Sequence, residues 1–294
     1  MTVAGGKAIF NDDLEVESIE IKKNSSGSPI STHTHAEGNR TSAAGLCAHA
    51  EGYKSVAEGN YSHAEGHITS ASGDSSHVEG SENFAVGKYS HAEGCKTIAS
   101  GKMDNSTQTV AETNSEASCT HAEGYCTSAY GYCTHSEGLG TLAQGDYSHA
   151  ENFWTQAIGE SSHAEGCKSS DDTLTIASGK GSHAEGWGTL AAGEGSHTEG
   201  ISTIAHGRGT HAEGYESMAG AKKILNTDKI TFTISYGTDP DGAHAEGKST
   251  TAFGSGSHAE GMSTLADGLY SHAEGNSTRA QGQNSHAEGF NTVA

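Results

Sequence analysis

The side chains able to do chemistry in this chain come mostly as a histidine and a glutamate two residues apart, in sixteen copies of a motif whose usual form is "HAEG". The pairs include His49 and Glu51, His63 and Glu65, His91 and Glu93, His121 and Glu123, His149 and Glu151, and His163 and Glu165. They continue with His183 and Glu185, His211 and Glu213, His258 and Glu260, and His272 and Glu274. The other six begin at His35, His77, His135, His197, His244 and His286. Residues two apart on an extended chain share a face. An imidazole beside a carboxylate suits metal ligation, acid–base catalysis, or a structural ladder of paired charges. A zinc site needs three or four converging ligands, and sites stacked about 5 Å apart would repel one another. Catalysis requires one distinctive environment with a cleft and displaced pKa values, which a sixteenfold duplicate does not offer. No nucleophile elbow or phosphate-binding loop stands outside the repeat. The pairs are therefore read as a structural ladder. No catalytic, cofactor-binding or metal-binding residue is assigned, and the chain is expected not to be an enzyme.

What must position these pairs is visible in their spacing. The motif histidines recur at a constant interval of fourteen, as in His35, His49, His63, His77 and His91. The three longer intervals, from His91 to His121, His163 to His183 and His211 to His244, are that interval plus insertions of 16, 6 and 19. A short strict period interrupted only by insertions marks a solenoid. Stretches such as "SHAEGCKTIASGKM" and "SHAEGMSTLADGLY" each make one coil. Either half alternates small and variable residues and ends in glycine, so a coil reads as two short strands and two turns. Glycine is expected there for a positive φ, and Asn152, which replaces it once, is the residue that best tolerates that conformation after glycine. Alternation turns Ser62, Ala64 and their equivalents inward with the threonine and alanine of the second half, and the interior admits only small side chains. Histidine and glutamate point outward and do not vary, whereas outward slots of the second half do, as at Val56, Glu58, Arg279 and Gln281.

Invariant outward residues face something fixed, and the simplest such partner is another copy of the chain. A coil of alanine and threonine buries little apolar area against its ordering entropy, so association is expected to be part of folding. Three copies about a threefold axis would close each rung into a ring of three histidines and three glutamates, making the chain an obligate homotrimer of roughly 17 coils and about 80 Å. Pairing would raise the histidine pKa values above the usual one near 6.5 and place maximum stability in mild acid, unless desolvation dominates. The formal charge of −21 owes 16 of its 37 acidic residues to the ladder, and neutralising those leaves −5. With 16 lysines and arginines and no basic stripe, nucleic acid is not an expected partner.

The rest of the chain divides around the coils. Residues 1–30 read as an N-terminal β cap, carried by "LEVESIEIKK", and a linker, "NSSGSP"; residues 31–294 are the repeat domain. No secretion signal and no membrane span are expected. The last coil stops half a repeat in, at "FNTVA", which leads to the expectation of an open end. Insertions fall at 102–118, polar and rich in Ser, Thr and Asn, at 168–173, a short bulge, and at 221–240, whose "ITFTISYG" reads as a hairpin. Six cysteines contain no CxxC pair. Cys119 and Cys133 share a slot one coil apart; free thiols are expected, with a disulfide left open.

Small-residue half-coils closed by glycine at this fixed period resemble the head repeats of trimeric autotransporter adhesins. The "SHAEG...TxAxG" form is more similar to repeats of phage and prophage tail appendages, which precede an intramolecular-chaperone peptidase domain. The resemblance covers about residues 31–294 and departs from the adhesins in placing histidine and glutamate where those carry aliphatic residues. It implies an all-β, left-handed parallel β-roll forming a homotrimer, in a virion fibre assembled in the host cytoplasm. Such a segment gives rigid length and displays host-attachment loops whose ligand is a cell-surface glycan or protein. A bacterial surface adhesin head is the alternative, and a polysaccharide-degrading spike a more distant one.

Overall fold

The computed structural model describes residues 2–4, 7–9, 34–104, 109–114, 116–225, 232–236 and 240–294. The chain from His35 onward is an all-β parallel solenoid in which each coil places a residue beside its equivalent fourteen positions on, as His49 beside His63. Its motif strands, from His35–Asn39 to His286–Phe290, form one sixteen-stranded sheet, and the short strands of the second halves, from Ser42–Ala43 to Arg279–Ala280, form another of fifteen. Sixteen motif strands stand against the roughly 17 coils expected, and the second sheet has one fewer because the last second half contributes only a single bridge, Val293 to Arg279. Every strand pairs with its equivalent one coil away, in register. His91 lies opposite His121, Ala92 opposite Ala122 and Glu93 opposite Glu123, across the first long insertion, and His211 lies opposite His244 across the last.

The insertions therefore leave the stack without shifting it. The first contains an antiparallel hairpin of Gly101–Asp104 with Thr109–Thr113, and the last a hairpin of Ala221–Leu225 with Phe232–Tyr236. The hairpin read from "ITFTISYG" is thus present, whereas the polar composition of the first insertion gives no sign of the one it holds. The bulge after Cys167 is a turn closed by the Ser169 amide donating to the Thr173 carbonyl at 2.8 Å. Thr2–Ala4 pairs antiparallel with Lys7–Ile9, while the cap strand read at 14–23 lies outside the described residues. Among the described residues no helix is long and apolar enough to cross a membrane.

The interior is as narrow as the slots require. Ala50, Ala57, Ala64, Ala71 and their equivalents are fully buried, as are Thr97, Thr155 and Thr175. In several coils the buried serine before a motif histidine satisfies its hydroxyl locally: Ser62 donates to the Gly59 carbonyl at 2.6 Å, and Ser182 to that of Gly179 at 2.7 Å, whereas the hydroxyls of Ser148, Ser257 and Ser285 make no hydrogen bond. A serine here adds a hydrogen bond at almost no cost in volume, which is why the slot takes serine or threonine.

The two glycines of a coil have different physical causes. Those closing the motif half have φ between +100° and +118°, and Asn152 takes +79° in the same place, as expected. Most of those closing the second half, such as Gly59 and Gly159 but not Gly207 at φ +116°, lie outside that region, and what excludes a side chain is the next coil: a Cβ on Gly159 would sit 2.0 Å from the carbonyl oxygen of Gly179. The left-handed conformation falls instead two residues later, on corner residues such as Tyr61 and Ser75, at φ of 59° and 55°. Their amide groups donate one coil back, Tyr61 to Leu46 at 2.6 Å and Ser75 to Asn60 at 2.7 Å, which offsets the roughly 1–2 kcal/mol such a conformation costs an L-residue.

Gly159→Ala should therefore lower stability by on the order of 3 kcal/mol by forcing two coils apart. Gly282→Ala, in the terminal coil where the nearest atom to a Cβ is the Ser285 Cβ at 3.6 Å, should change it by less than about 0.5 kcal/mol. Equal losses in denaturant melts would refute stacking as the cause.

Candidate functional site: a histidine and glutamate ladder

In-register pairing converts sixteen separate motifs into continuous columns on one face of the larger sheet. From His49 to His272 successive imidazoles stack with centroids 4.7–4.9 Å apart and planes within 22° of parallel. The order relaxes only at the ends, where His35 meets His49 edge-on at 78° and His286 tilts by 37° from His272. Strand spacing sets this distance, since a translational repeat of about 4.8 Å brings each ring over the next. The interior histidines are about one-third exposed, His91 at 34% and His211 at 33%, while His35 in the first coil reaches 63%.

The carboxylates form a parallel column beside them. The in-coil separations are loose: Nε2 of His49 lies 3.6 Å from Glu51, that of His63 3.5 Å from Glu65, and those of His91 and His121 3.4 Å from Glu93 and Glu123. His211 to Glu213 is 3.4 Å and His272 to Glu274 3.9 Å. Two pairings cross between coils and are shorter. Glu151 meets His163 at 3.1 Å and Glu165 meets His183 at 3.2 Å. Within the chain, then, Glu151 and Glu165 each reach the histidine of the following coil rather than His149 and His163 of their own motifs. At the first, Asn152 closes the motif strand with a smaller positive φ than glycine has elsewhere. Glu185 and Glu260 lie in the same column, opposite Glu165 and Glu246.

The ladder leaves atoms unsatisfied within one chain. Nε2 of twelve motif histidines, among them His49, His63, His91, His121, His149, His211, His258 and His272, is buried and makes no hydrogen bond. The pKa values follow the same balance. At His91, His121 and His135 burial pushes the pKa below 6.5, the next imidazole in the stack pushes it further, and the surrounding glutamates only partly oppose both. His211 is lowered likewise, by burial and then by His244 and His197. The expected rise from ion pairing is reversed at these four, because burial disfavours each imidazolium, which would also have a like neighbour at stacking distance while its carboxylate stays outside good hydrogen-bond range.

Metal ligation within one chain meets a geometric limit. Groups such as His121, Glu123 and His135, or His211, Glu213 and His244, hold ligand atoms within 4.8 Å of one another. Equivalent nitrogens of parallel rings repeat at the ring spacing of 4.7 Å for both pairs. One ion bonded to both at about 2.1 Å could span at most about 4.2 Å, so a ring would have to leave the stack.

The same strands carry a feature not read from the sequence. Their fifth residues stack in register over seven coils as Tyr125, Leu139, Phe153, Cys167, Trp187, Ile201 and Tyr215. All but Cys167 are exposed, from Leu139 at 38% to Trp187 at 55%. Lys168 flanks the stripe 5.5 Å from the Trp154 ring, and Lys248 caps its end 5.8 Å from Tyr215. The signal is present in the slot after each motif glycine, but Asn39, Ser81, Lys248 and Asn276 in that slot conceal its apolar middle.

Two outcomes follow. Lowered pKa values make protonation harder in the folded chain, so these histidines contribute stability that is intact above about pH 6.5 and lost as pH falls through their folded values. Melting temperature should fall between about pH 7 and pH 5, and a rise would restore the ion-pair account. In addition, a double-mutant cycle of Glu151 with His163 should show a coupling of about 0.5–1 kcal/mol, and one of Glu151 with His149 a smaller one. The reverse order in denaturant melts would refute the cross-coil pairing.

No protein-family model matches the sequence and no curated protein matches it, so a function has to be argued from the ladder, the stripe and the insertions.

Proposed function

We propose that the chain is a non-enzymatic segment of a trimeric fibre of a phage tail appendage, which provides a rigid shaft and displays host-attachment loops. Three copies pack as parallel left-handed β-rolls with their ladder faces toward a common axis. The observation that carries the reading is the row of twelve buried Nε2 atoms without hydrogen bonds. Buried polar groups of a folded protein are nearly always satisfied, and a row repeating at strand spacing calls for a partner that repeats at the same spacing, as a second copy of this chain does. The apolar stripe from Tyr125 to Tyr215 supports the same partner, because an exposed ribbon of this length on one sheet edge is what an interface covers. The shaft accounts for the coils, and the two hairpin insertions, which leave the register undisturbed, are the elements offered for recognition of a host glycan or protein.

Light scattering on the intact chain should give three times the chain mass of 30.1 kDa, and Leu139→Glu with Ile201→Glu should reduce the assembly to smaller species. A monomeric mass for the unmutated chain would sink the reading. The purified protein should also slow adsorption of the phage to its host, and the appearance of new reducing ends on host surface glycans would overturn its non-enzymatic part.

A further inference from the structure

Among the six free cysteines, one pair is brought together by the stacking itself. Cys119 and Cys133 both precede a motif histidine by two residues, and those histidines, His121 and His135, are direct partners in the sheet. The two cysteines therefore occupy one corner in successive coils. Their backbones match, with φ of 58° and 51°, and the Cys133 amide donates to the Ser118 carbonyl, next to Cys119, at 2.9 Å. Adjacent strands put equivalent Cα atoms about 4.8 Å apart, inside the 4.4–6.8 Å range of disulfides. No other cysteines are so placed. Cys95 is opposite Tyr125 rather than Cys126, which is buried, while Cys167 lies between Phe153 and Trp187.

We propose that Cys119 and Cys133 are an oxidation site, which a small disulfide such as oxidised glutathione converts into a covalent bridge between two successive coils. The reactivities are ordered by position. Cys119 is exposed, whereas Cys133 is half-buried with a thiol pushed up by burial and by Cys119. The Cys119 thiolate attacks one sulfur of oxidised glutathione, forming a mixed disulfide and releasing one glutathione thiolate. Cys133 then loses its proton and attacks the Cys119 sulfur, expelling the second glutathione. The two cysteines give up two electrons and two protons, and one oxidised glutathione becomes two reduced ones. The bridge would close the coil on which the ladder resumes after the first long insertion, where strand His121–Tyr125 rejoins strand His91–Cys95. The tie spans a loop of one coil and holds the coil of His121, the first after that insertion, to the coil of His135.

The reduced, intact chain incubated with oxidised glutathione should lose two thiols and two hydrogens of mass, yield a linked Cys119–Cys133 peptide, and show no cross-linked band on a non-reducing denaturing gel. Its melting temperature should rise by on the order of 5 °C over the reduced form. Cys133→Ser, in a slot where Ser75 and Ser161 already stand, should stop at a glutathione adduct on Cys119. Separate stable adducts on both cysteines, unreacted thiols at both, or a bridge between Cys119 residues of two chains would overturn the proposal.

Discussion

Successive coils superpose atom on atom at the spacing of a parallel sheet, and every other feature of the chain answers to that constraint. A coil can approach its neighbour this closely only where nothing projects along the stack. Hence Gly159 lies beneath Gly179, where any Cβ would strike a carbonyl. It is also why the interior is alanine, serine and threonine, each either apolar and small or able to bond its own backbone. Apolar burial per coil is therefore slight, and the backbone ladder with its buried hydroxyl bonds holds the coil together as much as any hydrophobic core.

Superposition has an electrostatic cost as well. It places like over like, imidazole on imidazole and carboxylate beside carboxylate, where a random arrangement would alternate signs. The chain tolerates this because an imidazole need not be charged. Stacked neutral rings lose nothing to repulsion, and the lowered pKa values at His91, His121, His135 and His211 are the signature of that choice. The face so formed is polar yet incompletely bonded, beside a stripe that is apolar yet uncovered. Both deficits lie on the same strands.

The solenoid is legible in the sequence because its cause is periodic. A fixed period survives insertions of any length, and small residues in alternate slots declare an interior too narrow for others. The site is legible only in outline. That His63 and Glu65 share a face follows from strand geometry, but that Glu151 bonds forward to His163 and Glu165 to His183 is a contact between coils that no spacing within one motif encodes. The pKa change takes the direction that desolvation sets, because pairing within a coil is visible in "HAEG", whereas the burial of each ring, and after it the imidazoles above and below, arise only in space. The glycine of the second half reads as a demand of backbone conformation when its cause is the adjoining coil, again a contact between residues far apart in sequence.

The coil geometry also sets what the chain can offer mechanically. Each coil advances the axis by one strand spacing, about a third of an ångström per residue, against about 1.5 Å in a helix. A protein selected for reach alone would not fold this way. Here the backbone runs mostly around the axis and contributes cross-section, so the product is a short, thick rod whose resistance to bending comes from two continuous sheets held on either side of a solid interior. Such an element transmits a push or a twist from one end to the other without absorbing it.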